Sequence, residues 1–286
     1  MSKKHPVIAV TGSSGAGTTT VKRAFEHIFF REQINAAVIE GDSFHSLSRV
    51  EFKAAVKKAE GEGNMSFSHF GPQSNHFDKL AELFETYGKT GSGKKRYYIH
   101  SDEEAAEHNK RLNTSLNPGE FTPWEDVPSG SDVLFYEGLH GLVKTDDVDV
   151  SKHVDLGIGV VPIVNLEWIQ KIHRDGAERG YSADVIVDTI LRRMPDYVNY
   201  ITPQFSSTDI NFQRVSTVDT SNPFITRDIP TPDESFIVIR FREPKGVDFP
   251  YLLNMICNSF MSRRNTIVVP GAKMGFAMEL ILAPII

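Results

Sequence analysis

Val7-Ile8-Ala9-Val10-Thr11-Gly12-Ser13-Ser14-Gly15-Ala16-Gly17-Thr18-Thr19 is the stretch that decides the fold class. Its first four residues are a continuous apolar run, the signature of a strand covered on both faces of a parallel sheet. A glycine-rich turn follows. Helical periodicity then runs through Val21, Phe25, Ile28 and Phe29, and residues 36–39 read as a second strand ending at Glu40-Gly41-Asp42. Strand, turn, helix and strand in this order form one βαβ unit, for which a right-handed crossover is the default.

The turn matches G-x-x-x-x-G-x-[ST], and it sits between a strand and a helix as a phosphate-binding loop requires. Backbone N–H groups across Gly12, Ser13, Ser14, Gly15, Ala16, Gly17, Thr18 and Thr19 point inward around a phosphate, and the helix N-terminus adds a favourable dipole. The Thr19 hydroxyl suits Mg²⁺, a hard cation that takes oxygen ligands. A dinucleotide-type turn is the alternative, but G-x-G-x-x-G is absent. Thr18 stands where a lysine is usual, so a cation from elsewhere in the chain must act on the transferred phosphate.

Outward from this unit, strands and helices alternate. Helical patterns occupy about 49–62, 75–87, 165–179, 182–198, 249–258 and 272–282. Strands are expected at about 133–136, 156–161, 213–218, 236–241 and 266–269. Residues 89–131 are expected to be a flexible insertion with the least regular structure. The class is α/β with one central sheet, and the chain reads as a single domain over 1–286.

Composition narrows the function. The 286 residues are 40% hydrophobic and 24% charged, enough to bury a sizeable core. A net charge of -6 supplies no global basic field, so neither nucleic acid nor a membrane surface is an expected partner. Cys257 is the single cysteine, which excludes an intramolecular disulfide and a cysteine-based metal cluster. The N-terminal residues lack the apolar run of a signal peptide, so the expected location is cytoplasmic.

Ligands of open α/β sheets bind beyond the carboxyl ends of the strands. Asp42 follows the second strand there, and Glu137 ends the strand at 133–136 like a Walker B acid able to hold Mg²⁺. Asp42 could accept a proton from an attacking hydroxyl. His45 and Arg49 follow Asp42 closely, and Arg96-Tyr97-Tyr98-Ile99-His100 lies in the middle of the chain. In the helix at 165–179, Leu166, Ile169 and Ile172 mark an apolar side. Lys171, Arg174, Asp175, Glu178 and Arg179 recur at spacings of three and four on another face. A solvated face laced with ion pairs is one reading. A face that binds phosphate, carrying the cation Thr18 does not supply, is the other. Arg192-Arg193 reads as a charge pair at a helix C-terminus.

Taken together, several strings resemble the bacterial type of phosphoribulokinase. They are the loop already quoted, Glu40-Gly41-Asp42-Ser43-Phe44-His45, Phe135-Tyr136-Glu137-Gly138-Leu139-His140-Gly141, the run from Val161 to Asp175, and Val218-Asp219-Thr220-Ser221-Asn222-Pro223-Phe224. Threonine in place of the loop lysine is a feature of that family. The resemblance implies a P-loop NTPase of nucleoside-monophosphate-kinase-like fold, a mixed sheet flanked by helices. It implies ATP- and Mg²⁺-dependent phosphorylation of the C1 hydroxyl of D-ribulose 5-phosphate in the Calvin cycle.

Carried over position by position, Asp42 is the general base, Asp175 a second essential acid at the metal, Glu137 the Walker B acid and Lys171 the cation on the transferring phosphoryl group. His45, Arg49, Arg174 and Arg179 hold the sugar phosphate, with Tyr98 and His100 lining that site. Thr19, Glu137 and Asp175 are the implied metal ligands. The resemblance further implies a homo-octamer activated by NADH and inhibited by AMP through Arg31, Arg240 and Arg263. Paired cysteines, used as a thioredoxin switch in plant-type enzymes, are absent. Two alternatives stand beside this reading: a kinase of the same family acting on uridine or another pentulose phosphate, and a nucleotide-binding regulatory protein without catalysis.

Overall fold

The computed structural model describes residues 4–12, 18–161, 163–226 and 228–286, with only the backbone of Thr18, Thr19, Glu178 and Arg179. Ser13, Ser14, Gly15, Ala16 and Gly17 of the expected phosphate loop therefore lie outside the described residues. The first half runs β1 (Val7–Gly12), α1 (Thr18–Arg31), β2 (Ala36–Glu40), α2 (Arg49–Gly61), α3 (Phe77–Thr90), β3 (Lys94–Lys95), α4 (Asp102–Leu112), β4 (Glu125–Asp126) and β5 (Val133–Gly138). The second runs β6 (Leu156–Val161), α5 (Val164–Arg179), α6 (Ala183–Asp196), β7 (Ile210–Ser216), β8 (Ser235–Phe241), α7 (Phe249–Met255), β9 (Phe260–Arg263), β10 (Thr266–Pro270) and α8 (Met274–Leu282).

One sheet has the order β2-β5-β1-β6-β7-β8-β10-β9, and β3 pairs with β4. It is mixed. β2 and β5 are parallel, as are β6 and β7, whereas β8, β10 and β9 continue antiparallel from β7. By contacts the chain divides into two compact units, residues 1–9, 35–155 and 192–204 in the first, and 10–34, 156–191 and 205–286 in the second.

In the first unit, α3 places Phe77, Leu80, Phe84 and Tyr87 on one face by spacings of three and four. That face buries against Ala37 and Ile39 of β2 and Leu134 and Tyr136 of β5. Each large side chain so buried contributes ~1.5–3 kcal/mol relative to exposure. In the second unit, Val21, Phe25, Ile28 and Phe29 of α1 are buried, as are Met274, Met278, Ile281 and Leu282 of α8. The two helices contact each other, and Glu279 of α8 pairs with His27 at 3.0 Å and Arg31 at 3.8 Å of α1.

Residues 89–131 differ from expectation, because they contain α4 and a paired backbone ladder. Ser101 caps α4 by accepting from the Glu104 N–H, acids fill its first turn, Lys110 and Arg111 its last, and Asn113 closes it with φ 54°. Only Ala105 of this helix is buried, so no apolar stripe betrays it. The Ile99 and Thr122 N–H groups donate to Glu120 and Tyr97 carbonyls at 3.0 and 2.9 Å, and Tyr98 bridges Phe121. Helix α3 starts at Phe77 rather than 75, because a 3₁₀ turn occupies Pro72–Ser74 and Asn75 bridges His45. Strand β7 runs three residues earlier than the expected 213, and the edge strand β9 was not expected at all.

Candidate active site

The first cluster of expected site residues lies where β2 and β5 end. Their parallel register sets Glu40 opposite Glu137. Beyond it, Gly41 and Gly138 pack backbone to backbone. A Cβ on Gly138 would lie 2.7 Å from the Gly41 Cα and 2.6 Å from the Tyr136 hydroxyl, so neither backbone could stay in place. The 3₁₀ turn Gly41–Phe44 then presents Asp42. Gly138→Ala is expected to cost ~1–3 kcal/mol of stability by overpacking. It should also lower kcat by on the order of 10²-fold through displacement of Asp42, read by thermal melts and steady-state rates.

Asp42 sits between two imidazoles. His45 Nε2 is 3.4 Å from Oδ1, and His100 Nε2 is 4.0 Å from Oδ2. The Asp42 side chain stays 47% exposed, yet enough protein surrounds it for burial to push its pKa up. The hydrogen bond and charge of His45, with the charges of His100 and His69, outweigh burial and lower it to about 2. The carboxylate is therefore ionised at every working pH. Tyr98 stands with its ring 4.9 Å from His100 and 5.2 Å from Phe121. Arg49 opens α2, its N–H donating to the Gly119 carbonyl at 2.8 Å. Gly119 has φ 98°, and a Cβ there would meet Arg49 Cβ at 2.6 Å. The expected residues Asp42, His45 and His100 are thus brought together, with Tyr98 beside His100.

Arg96, noted in the sequence only as part of a basic-aromatic run, braces this turn. Its Nε donates to the Ser43 carbonyl at 2.7 Å and its NH2 to the His45 carbonyl at 2.5 Å, on either side of Phe44. The guanidinium lies 3.8 Å over the Phe121 ring and 4.6 Å over Trp124. Burial lowers its pKa to about 10, which leaves it charged at neutral pH.

His140, also missed, is 3% exposed, and its Nε2 donates to the Phe70 carbonyl at 3.0 Å. Burial, then the charge of His45, lowers its pKa from 6.5 to about 3. The folded ring stays neutral where the unfolded one takes a proton, so stability present above pH 6.5 is lost as pH falls toward 3. Between pH 7 and 5 the loss through this group is expected to be ~2 kcal/mol. His140→Gln should flatten that slope in urea melts at the two pH values.

The second unit contains the charged helix. In α5, Leu166 and Ile169 are buried as the apolar pattern predicts, but Asp175 is buried too, at 3% exposure. Its Oδ2 accepts from Lys171 Nζ and its Oδ1 from Arg174 Nε at 3.1 Å. Among the described residues of that face, Lys171 and Asp175 form a buried ion pair, with Arg174 at its margin. Trp168 packs 5.5 Å from Phe224, and the His173 ring nitrogen meets the Thr226 carbonyl at 3.2 Å, which fixes the segment after β7 on this helix. The Arg179 side chain and those of Thr18 and Thr19 lie outside the described residues. Arg192 and Arg193 do more than neutralise a helix end. Arg192 pairs with Glu60 at 2.6 Å, and Arg193 lies 5.2 Å over Phe70.

The three arginines expected to serve regulation all fall in the second unit. Arg240 of β8 and Arg263 of β9 both register with Thr266 of β10 between them, so they share one row of the sheet. Arg31 ends α1 and pairs with Glu32 at 2.9 Å.

The family model described as "Phosphoribulokinase / Uridine kinase family" matches residues 7–221, three quarters of the chain, a span that includes Asp42, Glu137 and Asp175. The chain belongs to this family. Curated phosphoribulokinases of Nitrobacter vulgaris and Xanthobacter flavus are 60% and 61% identical over all 286 residues, covering 97% and 96% of those proteins. The solved structure of phosphoribulokinase from Rhodobacter spheroides matches with a TM-score of 0.89 at 53% identity, covering 99% of this chain and 96% of that one. Membership makes the chain a kinase and a user of ATP.

A divalent cation fits the donor chemistry of such a kinase. Among the described residues no group of three His, Cys, Asp or Glu side chains is placed to cage a metal. Glu137 at the end of β5 and Asp175 on α5 carry hard oxygen donors. Mg²⁺ is commonly held by one or two carboxylates, several waters and substrate phosphates, which needs no protein cage. No helix among the described residues is long and apolar enough to cross a membrane.

Proposed function

We propose that this chain transfers the γ-phosphoryl group of ATP to the C1 hydroxyl of D-ribulose 5-phosphate, yielding D-ribulose 1,5-bisphosphate and ADP for carbon fixation. The observation that carries the reading is end-to-end identity of 60% with relatives named phosphoribulokinase, spanning both the Asp42 turn and α5. Asp42, held ionised, removes the proton of the C1 hydroxyl. Lys171 brings positive charge to the transferring group, and Asp175 orients Lys171 and Arg174. Arg49, Arg174, Arg179, His45, Tyr98 and His100 bind the acceptor's own phosphate and hydroxyls. Backbone amides of residues 12–19 cradle the nucleotide. Mg²⁺, held by Thr19, Glu137 or Asp175 with the ATP phosphates, would screen their negative charge. Positioning and charge stabilisation are the main tasks left to protein in phosphoryl transfer.

The acceptor is tested by ADP release from Mg-ATP with ribulose 5-phosphate and, in parallel, uridine. Turnover is expected with the sugar phosphate. Turnover with uridine alone would reassign the chain to the nucleoside kinases of its family. The same reading extends to a cytoplasmic homo-octamer, activated by NADH and inhibited by AMP through Arg31, Arg240 and Arg263. Arg240→Ala should then abolish NADH activation while leaving the unactivated rate within about threefold, checked in the same assay with and without NADH.

A further inference from the structure

Two stretches of the first unit carry the expected acceptor residues. The turn Gly41–Phe44 and the residue after it bring Asp42 and His45, and the stretch 96–100 brings Tyr98 and His100. The second stretch is laddered to 119–122, where the Gly119 N–H also donates to the Ile99 carbonyl at 2.7 Å. Arg96 joins it to the first. Its Nε reaches the Ser43 carbonyl at 2.7 Å and a terminal nitrogen reaches the His45 carbonyl at 2.5 Å, so one guanidinium spans both. Trp124 meets both partners, its ring 5.5 Å from that of Phe44 and 4.6 Å from the guanidinium.

The chemistry of this contact suits a guanidinium. Among the described residues no carboxylate pairs with Arg96, so its charge is directed at backbone carbonyls rather than at an acid. Its planar fork supplies two donors at fixed spacing, whereas a lysine in its place would keep charge over the rings as a single mobile point. Three successive carbonyls are thereby held from two sides. The Phe44 carbonyl accepts from the His76 N–H at 2.8 Å, while those of Ser43 and His45 accept from Arg96. Ser43, Phe44 and His45 are all buried, so carbonyls that lost Arg96 would have to turn to find another donor. The turn's own backbone bond, from the His45 N–H to the Asp42 carbonyl, is long at 3.2 Å.

We propose that Arg96 is a positioning residue for phosphoryl transfer: by holding the Ser43 and His45 carbonyls it fixes the Asp42 carboxylate relative to Tyr98 and His100, where the acceptor hydroxyl meets its base. The acceptor is bound in part from the 96–100 stretch and deprotonated from the turn. A shift of one against the other therefore keeps every reacting group and misplaces the proton transfer. A misplacement of ~1 Å at a reacting centre costs on the order of 10²-fold in rate. The inference rests on the base role of Asp42 and the acceptor-binding role of Tyr98 and His100 given above.

The test is a double-mutant cycle in which Arg96→Lys and Arg96→Met are assayed alone and on the Asp42→Asn background, with ATP and ribulose 5-phosphate each varied. Alone, each is expected to lower kcat ~10–100-fold, with KM for ATP within about threefold. On the Asp42→Asn background the same changes should lower kcat less than about threefold, because Arg96 acts through the base. Full kcat in Arg96→Lys would show that charge over the rings is all the site needs, and would overturn the proposal. Equal losses on both backgrounds would show that Arg96 acts on something other than Asp42, and would overturn it too. So would a lowered thermal midpoint with kcat per folded molecule unchanged, which would make Arg96 a brace of the fold alone. Arg96→Lys keeps a cation over the rings and carries the test if Arg96→Met does not fold. A normal kcat for Asp42→Asn would instead overturn the base reading itself, a failure distinct from equal losses on a slow background.

Discussion

Asp42→Asn is expected to lower kcat by ~10²–10⁴-fold, the range general base assistance supplies, with KM for ATP changed less than about threefold. The amide preserves shape and still accepts hydrogen bonds, so the turn Gly41–Phe44 and its bracing by Arg96 persist. What disappears is a carboxylate that the two neighbouring imidazoles keep ionised down to about pH 2. Any acid limb of the wild-type rate profile above pH 4 must then belong to a group other than Asp42. A loss confined to KM would take Asp42 out of the base role. The measurement is steady-state kinetics with both substrates varied.

Asp175→Asn should act on two quantities at once. The carboxylate is buried, as is most of Lys171, whose side chain is 12% exposed. Removing one partner of a buried ion pair costs ~3–5 kcal/mol, because the desolvated cation loses its counter-charge. At ~2–4 °C per kcal/mol for a chain of this order of size, the thermal midpoint should fall by about 6–20 °C. Turnover should fall as well, by on the order of 10²-fold or more, since Lys171 and Arg174 lose the group that orients them. The double variant Lys171→Met with Asp175→Leu separates the two effects. An apolar pair of similar volume is expected to recover most of the midpoint, as buried ion pairs often are replaceable in stability terms, while turnover stays low. Recovery of turnover together with the midpoint would show the pair to be structural only.

The α/β class, the parallel strand ends and the base candidate were legible because each leaves a local mark. Val7–Val10 and Val133–Tyr136 are unbroken apolar runs, Glu137 comes at the end of β5, and Asp42 stands just past β2. Helix α4 was not legible, since a helix that buries only Ala105 has no apolar stripe, although its Ser101 cap and charge gradient were present. The structural meaning of Asp175 was only half visible. Spacing gave the ion pair with Lys171, but the burial of Asp175 at 3% exposure is a tertiary property that spacing on one helix does not carry. Asn75, Arg96 and His140 leave no mark at all. Each acts through contacts with residues at least thirty positions away, on His45, Ser43 and Phe70 respectively. The Gly41 and Gly138 contact is of the same kind, two glycines whose need appears only when their strands are adjacent.

The most direct measurement is the ³¹P NMR spectrum of the product formed from Mg-ATP and ribulose 5-phosphate. One new phosphomonoester signal coupled to the C1 methylene protons is expected, beside the retained C5 phosphate and equimolar with ADP. An unchanged sugar phosphate, with the new phosphomonoester appearing only when uridine is added, would contradict it.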